Sequence, residues 1–457
     1  MKCKKLSKYI EQIFETPKGS GSWFGYYNYD AISTDGTKML CNRTHIDTVK
    51  IEKGMTIDVG YYDLSSGLWY KIGESDSFNW PQGCMLQWLS GEGNENKVIY
   101  NTSKNNHNIS CIVDIVTGAT RELDWCIYGL ITDGKKSITL DMERQHWCRG
   151  YHYESVKREE LNVPVLEGDG IFEIDLEYNT RKLLIDIDDI ISIDKEDYFN
   201  IAQHWLEHIM ISPNNKRFCF LHRYSVGRVN NYETRLFIAD IDGKNLQIID
   251  RWRNMDRTHF GWDCDDNFTT YAYKSNKHFY IKSHANELKA QAENVNMAMI
   301  STSKSKDFFL NGVIAHLRSI FPKSLKKEIR IRLHGQQTYY EYFAIENGKF
   351  TLKENFILRD FDLDGHPTFT KNGKYMITDS YPDPNQYQRL IVYNKMTKKS
   401  IIIARFYAAL HAKSGSCDLH PKLCRNNNYV AVDTAYDGSH NMILFKLDWQ
   451  KIKDVIG

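Results

Sequence analysis

Histidine is scarce in this chain, 16 residues of 457, yet four of them recur at one position of a repeated pattern. His208, His259, His366 and His420 each stand three residues before an apolar residue that leads into a tight polar turn and an apolar strand. Imidazole changes charge near neutral pH and is the commonest nitrogen ligand of divalent metals, so a ring of such residues suits metal binding or proton transfer. A single strand histidine is ordinarily structural, satisfied by a neighbouring carbonyl. Four at one repeat position exceed chance at this abundance. The bland account that survives is a duplicated unit that kept histidine to fill a channel. Against it, neighbouring copies have diverged almost everywhere else while the channel mouth stays polar.

The strand after each of these anchors runs antiparallel to the first, so its end returns to the same face. Arg43 and His45, Asn101, Asp141, His222 with Arg223 and Tyr224, Tyr273, Asp379 with Tyr381, and Asp433 occupy those ends. His204, Asp362, Asp364 and Asp418 come just before anchors. Such a set of imidazoles and carboxylates can hold a divalent metal, with His259, His366 and an acid such as Asp364 as first-choice ligands. The stretch from His146 to Tyr153 (HWCRGYHY) reads as an irregular loop suited to sugar acids. Trp147, Tyr151 and Tyr153 can stack on sugar rings, and Arg149 can pair with a carboxylate. Its plainer reading is aromatic packing between strands. His107 is a weaker, exposed candidate.

The element that positions these residues is a repeat. Besides the four histidine copies, weaker copies of the anchor pattern start at Tyr29, Met85 and Ile127, which makes seven. A second hairpin signature follows most of them, as in Tyr62-Asp-Leu-Ser-Ser-Gly-Leu-Trp and Val113-Asp-Ile-Val-Thr-Gly-Ala-Thr. Two hairpins make a four-stranded antiparallel unit, so the expectation is an all-β, seven-bladed β-propeller formed by residues 1–457 as a single domain. The last copy ends after its third strand, and the N-terminal segment is expected to complete that blade. A partly helical insertion, residues 275–337 with helical spacing over 308–333, falls in the fifth blade.

A net charge of +1 gives no global pull toward nucleic acid or membrane. Aromatic residues at 13%, with 28 Tyr and 10 Trp, fit both short strands and sugar-facing surfaces. The ten cysteines are scattered without a CxxC pair, which points to reduced thiols. No signal-peptide pattern or transmembrane run is visible, so a cytoplasmic protein is expected.

Three blocks carry a resemblance: HIMISPNNKRFCFLHRY from His208, DGHPTFTKNGKYMITDSYPD from Asp364 and CDLHPKLCRNNNYVAVDTAYDG from Cys417. They resemble the oligogalacturonate-lyase-like propellers and, more distantly, the ulvan lyases, over nearly the whole chain outside the insertion. The resemblance implies a polysaccharide lyase that cleaves a uronic-acid glycan by β-elimination, with Mn2+ or Zn2+ held by histidines beside the axis. It places the family's histidine of the GHP block at His366. Where the family has a further histidine and a glutamine before that block, this chain reads Phe361-Asp-Leu-Asp-Gly. β-Elimination needs a partner for the uronate carboxylate, a base and an acid. The metal on His259, His366 and Asp364, or Arg149 or Arg223, suits the first role. His208 or His222 suits the second, and Tyr151, Tyr153 or Tyr381 the third. Trp147, Tyr153, His420 and Arg43 are the candidates for holding an acidic oligosaccharide. The alternative is a non-catalytic propeller that binds glycans or proteins, and a hydrolase using Asp379 and Asp433 ranks below both.

Overall fold

The polar turn after each anchor closes the first hairpin of a blade. In blades four, six and seven the turn residues Asn215, Gly373 and Asn427 take positive φ, and Ser212, Thr370 and Cys424 bond across to Arg217, Tyr375 and Tyr429. Asn and Gly are the residues that tolerate this conformation, which explains why they recur there. The computed structural model describes residues 3–44, 51–151, 153, 161–227, 232–249, 255–264, 267–274, 281–286, 288, 338–358, 364–410, 417–424 and 426–457.

These hairpins build seven antiparallel sheets in succession, a seven-bladed propeller. Blade four is typical, with strands Gln203–Ile211, Arg217–Ser225, Tyr232–Asp240 and Gln247–Ile249. Apolar faces of neighbouring blades pack together, as where Phe218, Phe220 and Phe237 share one core with Ile138, Ile171 and Ile174 of blade three. Blade seven supplies only three strands of its own, and Ile10–Glu15 pairs with Asn441–Leu447 as its outermost strand, as expected. Lys4–Leu6 adds a fifth strand to blade six against Lys399–Tyr407. Deleting residues 1–15 uncovers both strand edges, and exposed edges invite pairing with other chains. The truncated chain is expected to lose roughly 5 kcal/mol or more and to aggregate on heating, which a thermal scan with light scattering reads directly.

Residues 275–337 lie between the second and third strands of blade five, Asn267–Lys274 and Thr338–Glu346. Residues 281–286 are helical, and Ile281 and Ala285 are buried in the core shared with blades three and four. The helix expected over 308–333 lies outside the described residues, as do His45 and Asp362. Among the described residues no helix is long and apolar enough to cross a membrane.

Two features of the first strands aim the anchors. In blades four and five the ladder slips between Glu207 and Met210 and between Arg257 and Phe260, so His208 and His259 sit on bulges. A bulge re-aims a side chain out of the alternating pleat. Met85, His208 and His420 have φ of 56°, 58° and 43°, a conformation that costs a non-glycine residue about 1 kcal/mol or more. The second feature is the stretch of blade one that leads to the Tyr29 anchor. After Ser22–Trp23 the chain leaves blade one and carries Tyr26, Tyr27 and Tyr29 across the axis. Tyr27 Oη bonds Phe260 O in blade five, and Tyr29 Oη bonds Tyr128 O in blade three. The channel is therefore floored by tyrosines.

Candidate active site

Each anchor histidine has an oxygen beside its Nδ1, as a hydrogen bond in His366 and His420 and as a close carboxylate in His208 and His259. His208 Nδ1 lies 3.0 Å from Glu207 Oε2, and His259 Nδ1 lies 3.0 Å from Asp364 Oδ1. His366 Nδ1 lies 2.9 Å from Asp379 Oδ1, and His420 Nδ1 lies 2.8 Å from Gly25 O. In His366 and His420 the acceptor at Nδ1 fixes the proton there and leaves Nε2 as the lone-pair nitrogen, the arrangement that orients histidines for a metal or a proton. Tyr26 lies beneath, with ring centroids 5.6 Å from His208 and 6.1 Å from His420.

On the blade six and seven side, His366, Asp418 and His420 place ligand atoms within 4.8 Å of one another. The His366 and His420 rings are 4.1 Å apart and perpendicular, and the His259 ring is 4.0 Å from His366. Asp379 holds both segments: it accepts the backbone N–H of His366 at 2.7 Å and of His420 at 3.0 Å. Gly365 permits this approach, because a Cβ there would meet Asp379 O at 2.0 Å. Asp418 Oδ1 has no hydrogen-bond partner among the described residues. Burial and the neighbouring Asp379 push its carboxyl up to about 7. Burial holds His366 and His420 well below the ordinary histidine value. His259 moves the other way: burial lowers it, but Asp364, Asp418 and Asp379 together outweigh that. Two lone-pair imidazole nitrogens beside a carboxylate whose Oδ1 is unpartnered among the described residues make a donor set that fits a divalent metal.

Across the same floor, Glu207 is fully buried and meets two guanidiniums, Arg223 at 2.8 Å and Arg149 at 3.5 Å, with Trp205 Nε1 donating to it at 2.6 Å. Both guanidiniums lie over the Tyr232 ring, at 4.8 Å for Arg149 and 4.6 Å for Arg223. Burial raises Glu207, but Arg223, His208 and Arg149 outweigh it and bring it to about 2. Burial lowers His208 to about 4 despite Glu207. Tyr151 lies 6.4 Å from the His208 ring, and burial pushes its phenol up to about 12. Tyr381 stands over the other cluster, 6.0 Å from His259 and 5.9 Å from His366, and is likewise raised by burial.

The structure thus gathers His208, His259, His366, His420, Arg149, Arg223, Tyr151 and Tyr381 on one face. It corrects other expectations. His222 is a core residue: its Nε2 lies 3.0 Å from His204 Nδ1, Arg235 donates to its Nδ1, and the two rings stack at 10°. Asp364 is committed through Oδ1 to His259 and Gly365 and through Oδ2 to Thr258, so it orients His259 and leaves the ligand role to Asp418. His420 joins the metal-type cluster. Tyr153 is wholly buried in the core shared by blades two to four. Arg43 turns outward onto Trp69, 5.2 Å from its ring. The stretch expected as a loop is partly helix α1, Met142–Arg149, capped by Asp141. Trp147 precedes Arg149 by two residues, about 200° around the helix, so the two point apart. Asp379 and Asp433 are no hydrolytic pair, since Asp433 binds Lys422, Phe24 and Gly25. Glu207 and the tyrosine floor were not anticipated; the adjacent Glu-His pair and the run Tyr26-Tyr27-Asn28-Tyr29 were the available signals.

No protein-family model matches this chain, and no curated protein matches it. Solved structures do. An oligogalacturonate lyase in complex with manganese superposes with a TM-score of 0.55 at 13% identity, covering 98% of each chain. The oligogalacturonate lyase of Vibrio parahaemolyticus gives 0.55 at 13% identity, covering 97% of this chain and 96% of that one. At this identity the likeness speaks for the fold alone: the chain has the seven-bladed propeller fold that those lyases share.

Proposed function

We propose that this propeller is a polysaccharide lyase that cleaves a uronic-acid glycan by β-elimination. The observation that carries the reading is the meeting of a neutral, oriented histidine with two guanidiniums that share one carboxylate. Arg149 and Arg223 bring two positive charges and Glu207 one negative, so a sugar carboxylate finds an uncompensated charge beside His208. Pairing there withdraws charge from the carboxylate and makes the adjacent C–H acidic. His208 Nε2 takes that proton, the electron pair forms the C=C bond, and the bond to the glycosidic oxygen breaks. Tyr151, kept protonated by its burial, gives the departing oxygen its proton. Tyr381 is the corresponding donor on the opposite side.

His366, His420 and Asp418 are the residues that would hold a divalent ion, with His259 alongside. When bound, such an ion supplies Lewis-acid polarisation of substrate oxygens. Manganese in the similarly folded lyase favours Mn2+, and the same donors suit zinc. All ten cysteines are free thiols, in keeping with a proposed cytoplasmic site of action.

Incubation with oligogalacturonate and other uronate oligosaccharides tests the reading. The ultraviolet absorbance of an unsaturated uronate is the expected product signal. New reducing ends without that absorbance indicate hydrolysis. Binding without either leaves a non-catalytic glycan-binding propeller, and both results overturn the lyase.

A further inference from the structure

Arg149 and Arg223 meet the same carboxylate, but they are not equivalent. The Arg223 side chain is 6% exposed and lies 2.8 Å from Glu207, whereas that of Arg149 is 26% exposed and lies 3.5 Å away through Nε. In Arg223 both Nε and Nη1 are buried. Of the Arg149 nitrogens only Nε is buried without a hydrogen bond, and none of them donates one among the described residues, so the two Nη atoms reach open space. The accessible cationic edge of this cluster belongs to Arg149.

Aromatic rings hold that edge in place. The Arg149 guanidinium carbon lies 4.8 Å from the centre of the Tyr232 ring and 5.0 Å from that of Tyr151. Tyr232 opens the third strand of blade four, paired with Ser225, and Trp205 meets its ring at 5.8 Å and 73°. Trp205 is wholly buried and donates to Glu207, which gives the Tyr232 ring a fixed backing. Gly150, with φ 73°, ends α1 directly after Arg149, so the backbone there is fixed and only the side chain remains to be placed.

Which part of a guanidinium a neighbour uses decides what is left for a ligand. A carboxylate takes the in-plane N–H edge, whereas a ring takes the flat face and leaves the edge free for bidentate pairing. An arginine held by its face also loses less rotamer freedom when a carboxylate arrives than one swinging in solvent does. Arg223 lies 4.6 Å from the same ring, so Tyr232 offsets part of the repulsion between two guanidiniums that share one carboxylate. We infer that Tyr232 is a positioning residue for substrate recognition. It holds Arg149 with its edge presented to the uronate carboxylate, while Arg223, paired to Glu207, adds its charge alongside. This rests on the reading of the site as one for uronates.

The test is calorimetric titration of the full chain with D-galacturonate and D-glucuronate, their methyl esters serving as uncharged controls. Michaelis kinetics on the oligosaccharide that yields unsaturated product run beside it. Tyr232→Leu is expected to weaken uronate binding ~3- to 10-fold, the range of one cation–π contact. KM should rise by the same factor while kcat per folded molecule holds. Tyr232→Phe keeps the ring and is expected to stay within about twofold of wild type. A purely structural role lowers the folded fraction and leaves the Kd and KM of folded molecules alone. Arg149→Met should abolish uronate binding, and it tests the assignment even where Tyr232→Leu fails to fold. The inference is overturned if neither uronate binds the wild type, or if the esters bind as tightly as the acids. It also falls if Tyr232→Leu leaves Kd unchanged, if Tyr232→Phe is as damaging as Tyr232→Leu, or if Arg149→Met binds uronate as well as wild type. Product absorbance is read separately: uronate binding that Tyr232→Leu weakens, without unsaturated product, overturns the lyase and leaves the role of Tyr232 standing.

Discussion

Replacing His208 by asparagine is expected to cut glycan cleavage by ~10²–10⁴-fold, the usual contribution of a positioned general base. Asparagine is the informative substitution because His208 sits at φ 58°, a conformation it tolerates better than alanine does. The backbone bond from His208 N–H to Tyr128 Oη can then persist, and the lost rate reports the imidazole. His222→Ala is the control. It removes the partner of His204 and Arg235 from the core, so it is expected to lower stability by about 2–3 kcal/mol while leaving kcat of the folded fraction unchanged. Equal losses of kcat in both variants would falsify His208 as base.

The same assignment fixes a pH dependence. The base must be neutral, and burial sets His208 at about 4 in the free protein, so kcat/KM is expected to fall only as pH drops through about 4. Arg223 is one of the charges that hold His208 down. A substrate carboxylate neutralises that guanidinium, so the acid limb of kcat moves to higher pH than that of kcat/KM. Coincident limbs, or a kcat/KM limb at the ordinary histidine value, contradict the assignment.

How much of this was legible in the sequence depends on what the repeat could carry. The turn residues Asn215, Gly373 and Asn427 recur because each closes the same hairpin, and they gave the blades, their number and the N-terminal closure. The anchors were legible for the same reason. Parity was not. His222 and Arg223 are neighbours on one strand, and their side chains point to opposite faces. Pairing with Leu206 puts His222 in the core shared with blade three, while pairing with Trp205 puts Arg223 beside Glu207. That assignment depends on a register that the bulge at His208 shifts, and a slip of one residue exchanges the faces. Of the tyrosine floor only Tyr29 stands at a repeat position; Tyr26 and Tyr27 occur once, so no repeat comparison could isolate them. Asp364 and Asp418 are both acids two residues before a histidine, and only the pairing of Asp364 with His259 on another blade separates their roles.

Glu207→Gln is expected to be the most damaging single change at the site. The carboxylate is fully buried between Arg223 and Arg149, and its loss leaves two guanidiniums facing each other over Tyr232 without a counter-charge. Removing one partner of a buried pair costs about 3–5 kcal/mol. Linkage gives a compatible figure. Glu207 falls from an ordinary 4.5 to about 2 on folding, worth about 3 kcal/mol. Because the folded value is the lower one, this stabilisation is present above about pH 4.5 and is lost as pH falls toward 2. Denaturant unfolding of the wild type should therefore weaken over that window more steeply than that of Glu207→Gln. The variant also removes the negative charge 3.0 Å from His208 Nδ1 that supports the basicity of His208 against its burial, so His208 becomes a weaker base. Activity per folded molecule should then fall even at neutral pH, where stability alone predicts no change in kcat. A variant as stable as wild type at pH 7 would show that the guanidiniums are not held by Glu207, and the charge balance proposed for substrate capture would fail with it.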